Sequence, residues 1–593
     1  MGSAQIIPLQ AVERQLHLKT RAKGRQPDPQ SIAEVARVLG PAARRRDLLI
    51  EHLHRIQDAF GQLAERHLVA LARELRLGMA EVFEVATFYH HFDVVRDEDP
   101  GVGAPAARLT VRVCDSLACE LAGAAALLAR LPAILGAQVR VIPAPCVGRC
   151  EQAPVAVVGQ NPVAQATAES VRSAVTAGKK RHRLASDRAA FDPVAFVAAA
   201  RTPGPGSGIA PAYAGYAVYR KGGGYALLAQ CLAGRHEADA LITKMEHSGL
   251  RGLGGAGFPS GRKWRIVRAE TGPKVMAVNL DEGEPGTFKD RTYLERDPHR
   301  FLEGMLIAAW VCGVGSIYIY LRDEYHGCRA ILERELAQLK ADPPCALPPI
   351  ELRRGAGAYI CGEESAMIES IEGRRGEPRL RPPYVAQVGL FGYPTLEHNF
   401  ETVYWVRDIL SRGPEWFTSF GRRGRHGLRS FSVSGRVRRP GLALAPAGIS
   451  VRELIDEYCG GMQEGHAFYA YLPGGASGGI LPAALGDVAL DFDTLQEHGC
   501  FIGSAAVIIL SDHDRARDAA QNVMNFFKHE SCGQCTPCRV GTAKAAALMA
   551  VPKWDLELLE DLSQVMGDAS ICGLGQAAPN PIRCVTRYFP QEV

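Results

Sequence analysis

The segment Gly249–Trp264, GLRGLGGAGFPSGRKW, determines how the central part of the chain is interpreted. It contains Gly252-x-Gly254-x-x-Gly257, the spacing of a dinucleotide-binding fingerprint, which carries that meaning only between a strand and a helix. The preceding segment, EADALITKMEHSG, instead places apolar residues at helical spacing and ends in a glycine stop. A helix is therefore expected to enter the glycine loop, which argues against a Rossmann fold.

The same loop remains a candidate nucleotide site. Its glycines, Gly252, Gly254 and Gly255, would let bare backbone approach a phosphate or a flat ring. Phe258 adds a surface for stacking, and Lys263 adds a positive charge. We therefore predict a nucleotide site that does not belong to a Rossmann fold.

Composition indicates a large globular protein with several domains. The 593 residues are 47% hydrophobic and 22% charged, and the formal net charge is only +4. A chain of this length is expected to form roughly four domains. The small net charge gives no reason to expect a nucleic-acid partner, and the first residues, MGSAQIIPLQAVERQ, lack the apolar core of a secretory signal. We predict a cytoplasmic protein.

The segment Gly304–Leu321 is long enough to raise the possibility of a membrane span. It holds eighteen residues without a charge. Gly313 and Gly315 divide it, however, into the end of a helix and a strand rich in β-branched and aromatic residues. We therefore predict a buried α/β unit here and no membrane span.

Patterning along the chain predicts five folded regions. Leu and Ile recur at helical steps from about Pro27 to Val95, and alternating strands with one helix follow. RTPGPGSGIAP, at Arg201–Pro211, indicates a linker. The glycine-loop region comes next, then short strands and turns beyond Arg423, and finally helices from ARDAAQNVMNFFKHE onward.

Two cysteine pairs in the front α/β unit predict a metal centre. Cys114-x4-Cys119 ends its first strand, and Cys146-x3-Cys150 follows a later strand. Four thiolates on paired loops suit either a [2Fe-2S] cluster or a structural zinc ion. Structural zinc usually uses C-x2-C knuckles, which this spacing does not match, so we favour the cluster.

A second cysteine group lies near the C-terminus. Cys532, Cys535 and Cys538 form a C-x2-C-x2-C run, which favours a [4Fe-4S] cluster. Either Cys572 or Cys584 could supply the fourth ligand. We favour Cys572, because the adjacent glycine would let backbone approach a cluster closely. Most of the other cysteines are expected to be small core residues.

Acidic residues follow a predicted strand beside the glycine loop. The segment KVMAVNLDEGEPGTFKDR ends that strand in Asn279, Asp281, Glu282 and Glu284. A second strand and turn, which includes Tyr359, leads to further polar residues. The expected edge of the sheet is therefore polar and acidic.

That second turn brings Gly362, Glu363 and Glu364 to the start of a helix whose amides could hold a phosphate. Glutamates there would suit ribose hydroxyls and repel an extra 2′-phosphate, which favours NAD over NADP. The same glutamates would also be ordinary at any helix N-terminus.

These motifs together resemble a known family. The glycine loop, NLDEGEPGTFKDR, GAYICGEES, SCGQCTPCR and the terminal cysteine resemble the NADH-oxidising flavoprotein subunit of respiratory complex I, from about Tyr213 onward. The front 185 residues resemble the [2Fe-2S] subunit of that complex. A fusion of the two resembles the diaphorase subunits of cytoplasmic NAD-reducing nickel-iron hydrogenases and, as a close competitor, the flavoprotein subunit of NAD-dependent formate dehydrogenase.

The resemblance implies the following organisation: a helical bundle at 1–100, a thioredoxin-like [2Fe-2S] domain at 101–185, a linker at 186–212, an α/β domain for FMN and NADH at 213–422, a small β-grasp-like α+β domain at 423–510 and a helical [4Fe-4S] domain at 511–593.

The resemblance also implies roles for individual residues. Gly252 and Gly254 would approach the flavin, Phe258 would stack on the nucleotide and Lys263 would meet a phosphate. The residues implied to hold FMN are Asn279, Asp281, Gly362, Glu363 and Asn399. The residues implied to meet NADH are Glu284, Glu364, Arg381 and Tyr384. The family pairs two asparagines where this chain has His398 and Asn399, and it has lysine and phenylalanine where this chain has Arg381 and Tyr384.

The chemistry implied is hydride transfer between NAD(H) and FMN, followed by single-electron transfer through the clusters. No general base is required, because the protein positions the stacked rings. The implied partners are a small iron-sulfur subunit and nickel-iron hydrogenase subunits. A zinc-stabilised scaffold without redox activity is the alternative from a different class, and an electron-bifurcating subunit would be expected to carry a further ferredoxin domain.

Overall fold

A computed structural model of the chain describes residues 24–97, 109–182 and 212–593. The chain divides into two compact units, which lie within residues 1–107 and 108–593. The predicted linker at 186–212 lies outside the described residues except for its last position. The start of the chain, on which the predicted lack of a secretory signal depends, also lies outside them. The domain boundaries given above stay predictions.

In the first unit, helices pack around an apolar core. Their bounds are Pro29–Leu39, Leu49–Phe60, Glu65–Leu75 and Met79–Phe88. Apolar residues at three- and four-residue steps give each helix one buried face, and Val35, Leu53 and Leu68 are fully buried. Two short parallel strands, β1 (Leu63–Ala64) and β2 (Val94–Val95), pair beside the helices. The predicted helical bundle is confirmed.

The second unit begins with a four-stranded sheet. Its strands are β3 (Leu109–Cys114), β4 (Val139–Ala144), β5 (Ala156–Val158) and β6 (Asn161–Val163), in the order β4-β3-β5-β6. β4 is parallel to β3, whereas β5 and β6 are antiparallel to their neighbours. Its helices are Leu117–Leu121, Ala124–Leu135 and Ala168–Thr176. Val111, Val113 and Val158 form the core. The loops that carry the cysteines leave this sheet at one end, because β3 and β4 are parallel.

The central domain is built on a parallel sheet. Its strands are β7 (Lys274–Leu280), β8 (Val314–Leu321), β9 (Ile350–Arg354) and β10 (Thr395–Asn399), in the order β10-β7-β8-β9. All three pairings are parallel, which brings the carboxyl ends of the strands to one edge. The helices are Tyr216–Lys221, Ala226–Leu232, Ala238–His247, Ser260–Ala269, Lys289–Leu294, Pro298–Cys312, His326–Ala341, Glu364–Ile371, Phe400–Tyr404, Val406–Arg412 and Pro414–Thr418.

The uncharged segment Gly304–Leu321 lies inside this domain. Helix Pro298–Cys312 ends at Gly313, whose φ of 71° reverses the chain into β8. Almost the whole helix is buried, because it packs on the sheet and on neighbouring helices. Among the described residues, no helix combines the length and the apolar character needed to cross a membrane.

Two smaller regions complete the chain. Strands β11 (Leu428–Gly435), β12 (Gly441–Pro446), β13 (Phe468–Leu472), β14 (Leu481–Pro482) and β15 (Ala506–Ser511) form a mixed sheet in the order β12-β11-β15-β13-β14. A short helical segment spans Val451–Tyr458 beside this sheet. The C-terminal helices are Ala516–Glu530, Thr536–Met549, Leu556–Ala569, Gly573–Ala577 and Asn580–Tyr588. The predicted combination of α/β, α+β and helical regions is thereby confirmed.

Candidate functional site

The glycine loop connects two helices. It follows helix Ala238–His247 and leads into helix Ser260–Ala269, so it does not form the strand-to-helix turn of a Rossmann fold. The loop is pinned by its own backbone, since the Gly252 amide donates to the Phe258 carbonyl at 2.8 Å. The Leu253 amide donates to Thr402 Oγ1 at 2.9 Å, which holds the loop against helix Phe400–Tyr404, directly after β10.

The space around the loop excludes larger side chains at two glycines. A Cβ atom at Gly254 would lie 3.0 Å from Asn399 Cβ, and one at Gly257 would lie 2.6 Å from the Phe492 ring. Gly255 and Gly257 also have φ values of 134° and 66°, which disfavour other residues. Glycine therefore brings bare backbone against Asn399, at the carboxyl edge of the sheet.

Two asparagines stand side by side at that edge. The register of β10 and β7 places Asn399 opposite Asn279. Asn279 Nδ2 donates to the Gly362 carbonyl at 2.9 Å, and Asn399 Nδ2 donates to Asp290 Oδ2 at 2.7 Å. Ligands of parallel α/β sheets bind outside the carboxyl ends of the strands, and these asparagines line that position.

Asp281 provides a test of whether the edge fits a polar ligand. Among the described residues, none donates to Asp281 Oδ2, although this oxygen is buried. Burial raises the pKa of the carboxyl group well above its usual range. A Cβ atom at Gly362 would lie 3.2 Å from the Asp281 carbonyl, so the neighbouring turn leaves no room for a larger residue. An unsatisfied buried oxygen in a cradle lined by glycine fits a site for a polar cofactor.

The other two acidic residues after β7 are held by protein groups. Glu282 accepts from the Asp290 and Arg291 amides at 2.9 and 3.1 Å, and burial raises its pKa to about 7. Glu284 accepts from the Tyr359 hydroxyl and, at 2.7 Å, from the Ser477 amide. Burial raises the pKa of Glu284 as well. Glu282 therefore caps a neighbouring helix, and Glu284 joins three segments.

The predicted phosphate site at helix Glu364–Ile371 is occupied by a side chain. Glu363 caps this helix, and its Oε2 accepts from the Ser365 and Ala366 amides, each at 2.9 Å. The amides that were expected to hold a phosphate are therefore engaged. Arg381 pairs with Glu363 and, at 3.0 Å, with Glu364, so this end of the helix carries compensated charge.

Lys263 is also paired, rather than free for a phosphate. Its Nζ donates to the Glu397 carbonyl at 2.9 Å and to Glu397 Oε2 at 3.1 Å. Burial opposes the charged form, but Glu397 and Glu364 outweigh it and raise the pKa of Lys263. Phe258, the predicted stacking residue, is 39% accessible, and Tyr384, predicted to meet NADH, is 56% accessible. These aromatic surfaces are available to a planar ligand.

His398 has a defined hydrogen-bonding state. Trp264 Nε1 donates to His398 Nε2 at 2.8 Å, so Nε2 carries no proton and the neutral ring is protonated at Nδ1. Burial and Lys263 lower the pKa of His398 well below its usual range. The ring is therefore neutral at physiological pH.

The four front cysteines converge on one point. Cys146 Sγ lies 3.4 Å from Cys150 Sγ, and Cys114 is within hydrogen-bonding reach of Cys119 and Cys146. All four side chains are buried. Hydrogen bonds from Cys114 and Cys150 lower the pKa of Cys146, and hydrogen bonding and burial raise the pKa of Cys150. Converging buried thiols whose pKa values depend on one another in this way fit a metal centre.

The C-terminal cysteines form a second group. Cys532 and Cys535 lie on the turn before helix Thr536–Met549, and Cys538 lies in its first turn. Cys572 caps helix Gly573–Ala577, and a Cβ atom at Gly575 would lie 2.9 Å from Cys538 Cβ. The turn after Cys572 therefore lies against the C-x2-C-x2-C loop.

Cys584 belongs to a different environment. Its Sγ lies 3.5 Å from Cys500 Sγ, and both side chains are 2% accessible. Cysteine spacing does not indicate this pair, because 84 residues separate the two positions. The geometry supports Cys572 as the fourth ligand and leaves Cys584 in a buried thiol pair.

Family models match three segments of the chain. They are described as thioredoxin-like [2Fe-2S] ferredoxin at residues 35–179, Nuo51 FMN-binding domain at 245–408, and NADH-ubiquinone oxidoreductase-F iron-sulfur binding region at 518–593. An NADH-quinone oxidoreductase subunit of Rhizobium meliloti is 40% identical over 389 residues, which cover 63% of this chain and 92% of that protein. The chain belongs to the flavoprotein family of NADH-quinone oxidoreductases.

A second sequence relative and a solved structure also match this chain. The mitochondrial NADH dehydrogenase [ubiquinone] flavoprotein 1 of Dictyostelium discoideum is 42% identical over 375 residues, which cover 60% of this chain and 78% of that protein. One chain in the crystal structure of an NAD+-reducing [NiFe]-hydrogenase, in the air-oxidized state, resembles this chain with a TM-score of 0.76 and 30% sequence identity. That match covers 93% of this chain and 94% of the hydrogenase chain.

Membership of this flavoprotein family establishes the general chemistry. The chain is an NADH-oxidising flavoprotein of a multi-subunit oxidoreductase, with FMN, a [2Fe-2S] cluster and a [4Fe-4S] cluster as its cofactors. The predicted cofactors and enzyme class are confirmed. The zinc scaffold without redox activity is thereby excluded.

Proposed function

We propose that this chain is the diaphorase subunit of an NAD-reducing nickel-iron hydrogenase. The supporting observation is the share of this chain that each similar protein matches. The Rhizobium and Dictyostelium relatives match 63% and 60% of the chain, whereas the single hydrogenase chain matches 93% of it. At 93% coverage, the hydrogenase match must include most of the [2Fe-2S] region at residues 35–179, whereas the two sequence relatives each leave more than a third of the chain unmatched.

The proposed FMN site is the edge where the glycine loop meets the strand ends. FMN, when bound, supplies hydride exchange with NAD(H) and one-electron exchange with the clusters. Asn279 and Asn399 line the edge in register, and the nearby Asp281 has a buried oxygen with no partner among the described residues. The proposed FMN-site residues are Gly252, Gly254, Gly255, Asn279, Asp281, Glu282, Tyr359, Gly362, Glu363, His398 and Asn399.

The proposed NADH site lies on the exposed side of this edge. Phe258 and Tyr384 offer aromatic surfaces, and Arg381 offers a charge held by two glutamates. Glu284 and Glu364 are proposed to position the nucleotide, and neither acts as a general base. Lys263 would reach a phosphate only by exchanging Glu397 for it.

The cysteines are proposed to divide between the two clusters. Cys114, Cys119, Cys146 and Cys150 would hold the [2Fe-2S] cluster, because their thiols converge in the thioredoxin-like sheet. Cys532, Cys535, Cys538 and Cys572 would hold the [4Fe-4S] cluster, because the Cys572 turn packs against Cys538. The contact of the Cys584 sulfur with the Cys500 sulfur supports leaving Cys584 out of this set.

The proposed partners are a small iron-sulfur electron-transfer subunit and the nickel-iron hydrogenase subunits. A flavoprotein subunit of NAD-dependent formate dehydrogenase, or a fused complex I subunit, is the alternative, since each would deliver electrons to the same sites. The cytoplasmic location expected from the sequence stays a prediction.

Co-purification tests the choice between these complexes. The tagged chain is isolated anaerobically from its native host, and the complex is analysed for metals and for hydrogen-dependent NAD+ reduction. Nickel in constant ratio to the chain, with hydrogen-dependent activity, is the expected result. Molybdenum or tungsten would indicate formate dehydrogenase, and iron alone in a membrane-bound complex would indicate complex I. Either result would overturn the hydrogenase proposal.

A further inference from the structure

The loop between Cys146 and Cys150 is held by arginines from the FMN-binding domain. Arg322, which follows β8, donates from Nη2 to the Cys146 carbonyl at 2.6 Å. Arg291 donates from Nε to the Gly148 carbonyl at 2.8 Å. Both arginine side chains are at most 5% accessible. Two guanidinium groups therefore bind alternate carbonyls of the loop.

The loop has little freedom to move away from these arginines. Gly148 has a φ of 67°, and a Cβ atom there would lie 2.2 Å from the Tyr325 hydroxyl. The Gly148 amide points back at Cys146 Sγ at 3.4 Å, and Arg149 pairs with Glu295 at 2.8 Å. The position of the Cys146 sulfur is thus set by contacts on both sides of the loop.

The two arginines differ in how their charge is compensated. Arg291 pairs with Glu151 and, at 2.7 Å, with Glu295, and both carboxylates are buried. Among the described residues, Arg322 pairs with the carboxylate of Glu324 at 3.1 Å. The Glu324 side chain is 23% accessible. A partly solvated carboxylate screens a buried cation less completely than two buried carboxylates do. More net positive charge therefore remains at Arg322.

Arg322 also touches the proposed flavin site. Its Nη1 donates to the carbonyl of Glu282, in the turn that follows β7. Cys146, Asp281 and Arg322 line the same narrow cleft. Because the Arg322 guanidinium binds the backbone carbonyl of Cys146 itself, its charge lies beside the residue that carries this sulfur.

We propose that Arg322 is a positioning residue that fixes Cys146 and raises the reduction potential of the [2Fe-2S] cluster. Reduction adds one negative charge to a cluster, so a nearby uncompensated cation stabilises the reduced form. Glu324 has the opposite effect, because it compensates that cation. The inference rests on the proposed assignment of the cluster to Cys114, Cys119, Cys146 and Cys150.

The test compares three variants of the full chain with its cofactors bound. Arg322→Met removes the charge and keeps the length, Arg322→Lys keeps the charge and loses the forked donor, and Glu324→Gln removes the compensating carboxylate. The potential of the [2Fe-2S] cluster is measured by anaerobic redox titration, followed by electron paramagnetic resonance (EPR), at one pH. The [4Fe-4S] signal in the same samples is the internal reference.

A charge effect predicts shifts of opposite sign. Arg322→Met should lower the [2Fe-2S] potential by about 59 mV, a tenfold change in the one-electron equilibrium constant. Arg322→Lys should lower it by less than half as much, and Glu324→Gln should raise it. The [4Fe-4S] potential should not change in any variant.

The outcomes that overturn the proposal are distinct. Equal lowering by Arg322→Met and Arg322→Lys would indicate a purely structural role, and a Glu324→Gln potential that stays unchanged or falls would refute the charge effect. If Arg322→Met does not fold, the other two variants still decide. If the unmodified chain has no [2Fe-2S] signal, or if the signal is unchanged in a Cys146→Ser variant, the ligand assignment itself fails.

Discussion

A methyl group added at Gly254 would lie 3.0 Å from Asn399 Cβ, whereas one added at Gly252 would meet nothing closer than 3.5 Å. The two glycines lie in one loop but differ in the space available for a side chain, so each serves as a control for the other. At Gly254 the close approach of backbone to the strand end requires glycine. At Gly252 an alanine fits the protein itself.

The first prediction uses this pair. Gly254→Ala should push Asn399 out of register with Asn279, and it should lower both the thermal stability and the affinity for FMN, the latter at least tenfold. Gly252→Ala should leave the thermal stability of the FMN-free protein unchanged. Flavin fluorescence measures the affinity, and calorimetry measures the stability. Equal stability of the two variants would show that contact with Asn399 does not restrict the loop.

The second prediction separates the two candidates for the fourth [4Fe-4S] ligand. Cys572→Ser should abolish or strongly alter the [4Fe-4S] EPR signal, because this residue lies with the C-x2-C-x2-C loop. Cys584→Ser, the matched control, should keep the signal, since its sulfur faces Cys500 at 3.5 Å. Loss of the signal in Cys584→Ser alone would reverse the assignment.

The third prediction concerns the choice between NADH and NADPH. Glu364 pairs with Arg381 at 3.0 Å, and loss of its carboxylate would leave Arg381 less compensated and better able to attract a 2′-phosphate. Glu364→Gln should raise kcat/KM for NADPH about tenfold, which corresponds to about 1.4 kcal/mol, and should change kcat/KM for NADH much less. Glu369→Gln on the same helix is the control, because Glu369 pairs with Arg379 at 2.6 Å. A similar gain from both variants would assign the effect to net charge alone.

The fourth prediction concerns pH and the first unit. His52 Nε2 bonds to the Ala43 carbonyl at 3.0 Å, and burial lowers the pKa of His52 to about 4. Because the folded pKa lies below the unfolded value of about 6.5, the stabilisation is complete above pH 6.5 and is lost as pH falls toward 4. At pH 5 the loss should reach about 2 kcal/mol.

Hydrogen exchange of the amides in helix Leu49–Phe60 measures this loss locally. The opening free energy, corrected for intrinsic exchange, should fall between pH 7 and pH 5 in the natural sequence. In His52→Gln, which keeps a donor for Ala43, it should fall by about 2 kcal/mol less. An identical pH dependence in both proteins would show that His52 does not titrate as its burial implies.

Much of the site could be predicted because its signals are local or follow from strand topology. The cluster ligands were predicted from the short spacings between cysteines, which are local features of the sequence. Asn279 and Asn399 are far apart in sequence, but each ends a strand of one parallel sheet, so both reach the same edge. The helix before the glycine loop was visible in the spacing of its apolar residues.

Other contacts could not be predicted from the sequence. The pairing of Lys263 with Glu397 depends on the tertiary approach of a helix to a strand, and nothing in either segment specifies it. Arg322 binds a backbone carbonyl, and a carbonyl has no sequence signature. Glu363 carried a signal that fitted two roles, a helix cap and a ligand contact, and the structure shows the cap.

Anaerobic titration of the purified, FMN-loaded chain with NADH tests whether this chain alone passes electrons from NADH through flavin to its clusters. We expect NADH to bleach the flavin, to bring up the EPR signal of a reduced [4Fe-4S] cluster and to support rapid ferricyanide reduction without any partner subunit. Cys572→Ser should keep the bleaching of the flavin and abolish or strongly alter that cluster signal. Flavin that stays oxidised under excess NADH, in protein shown to contain FMN and both clusters, would refute the proposed electron path.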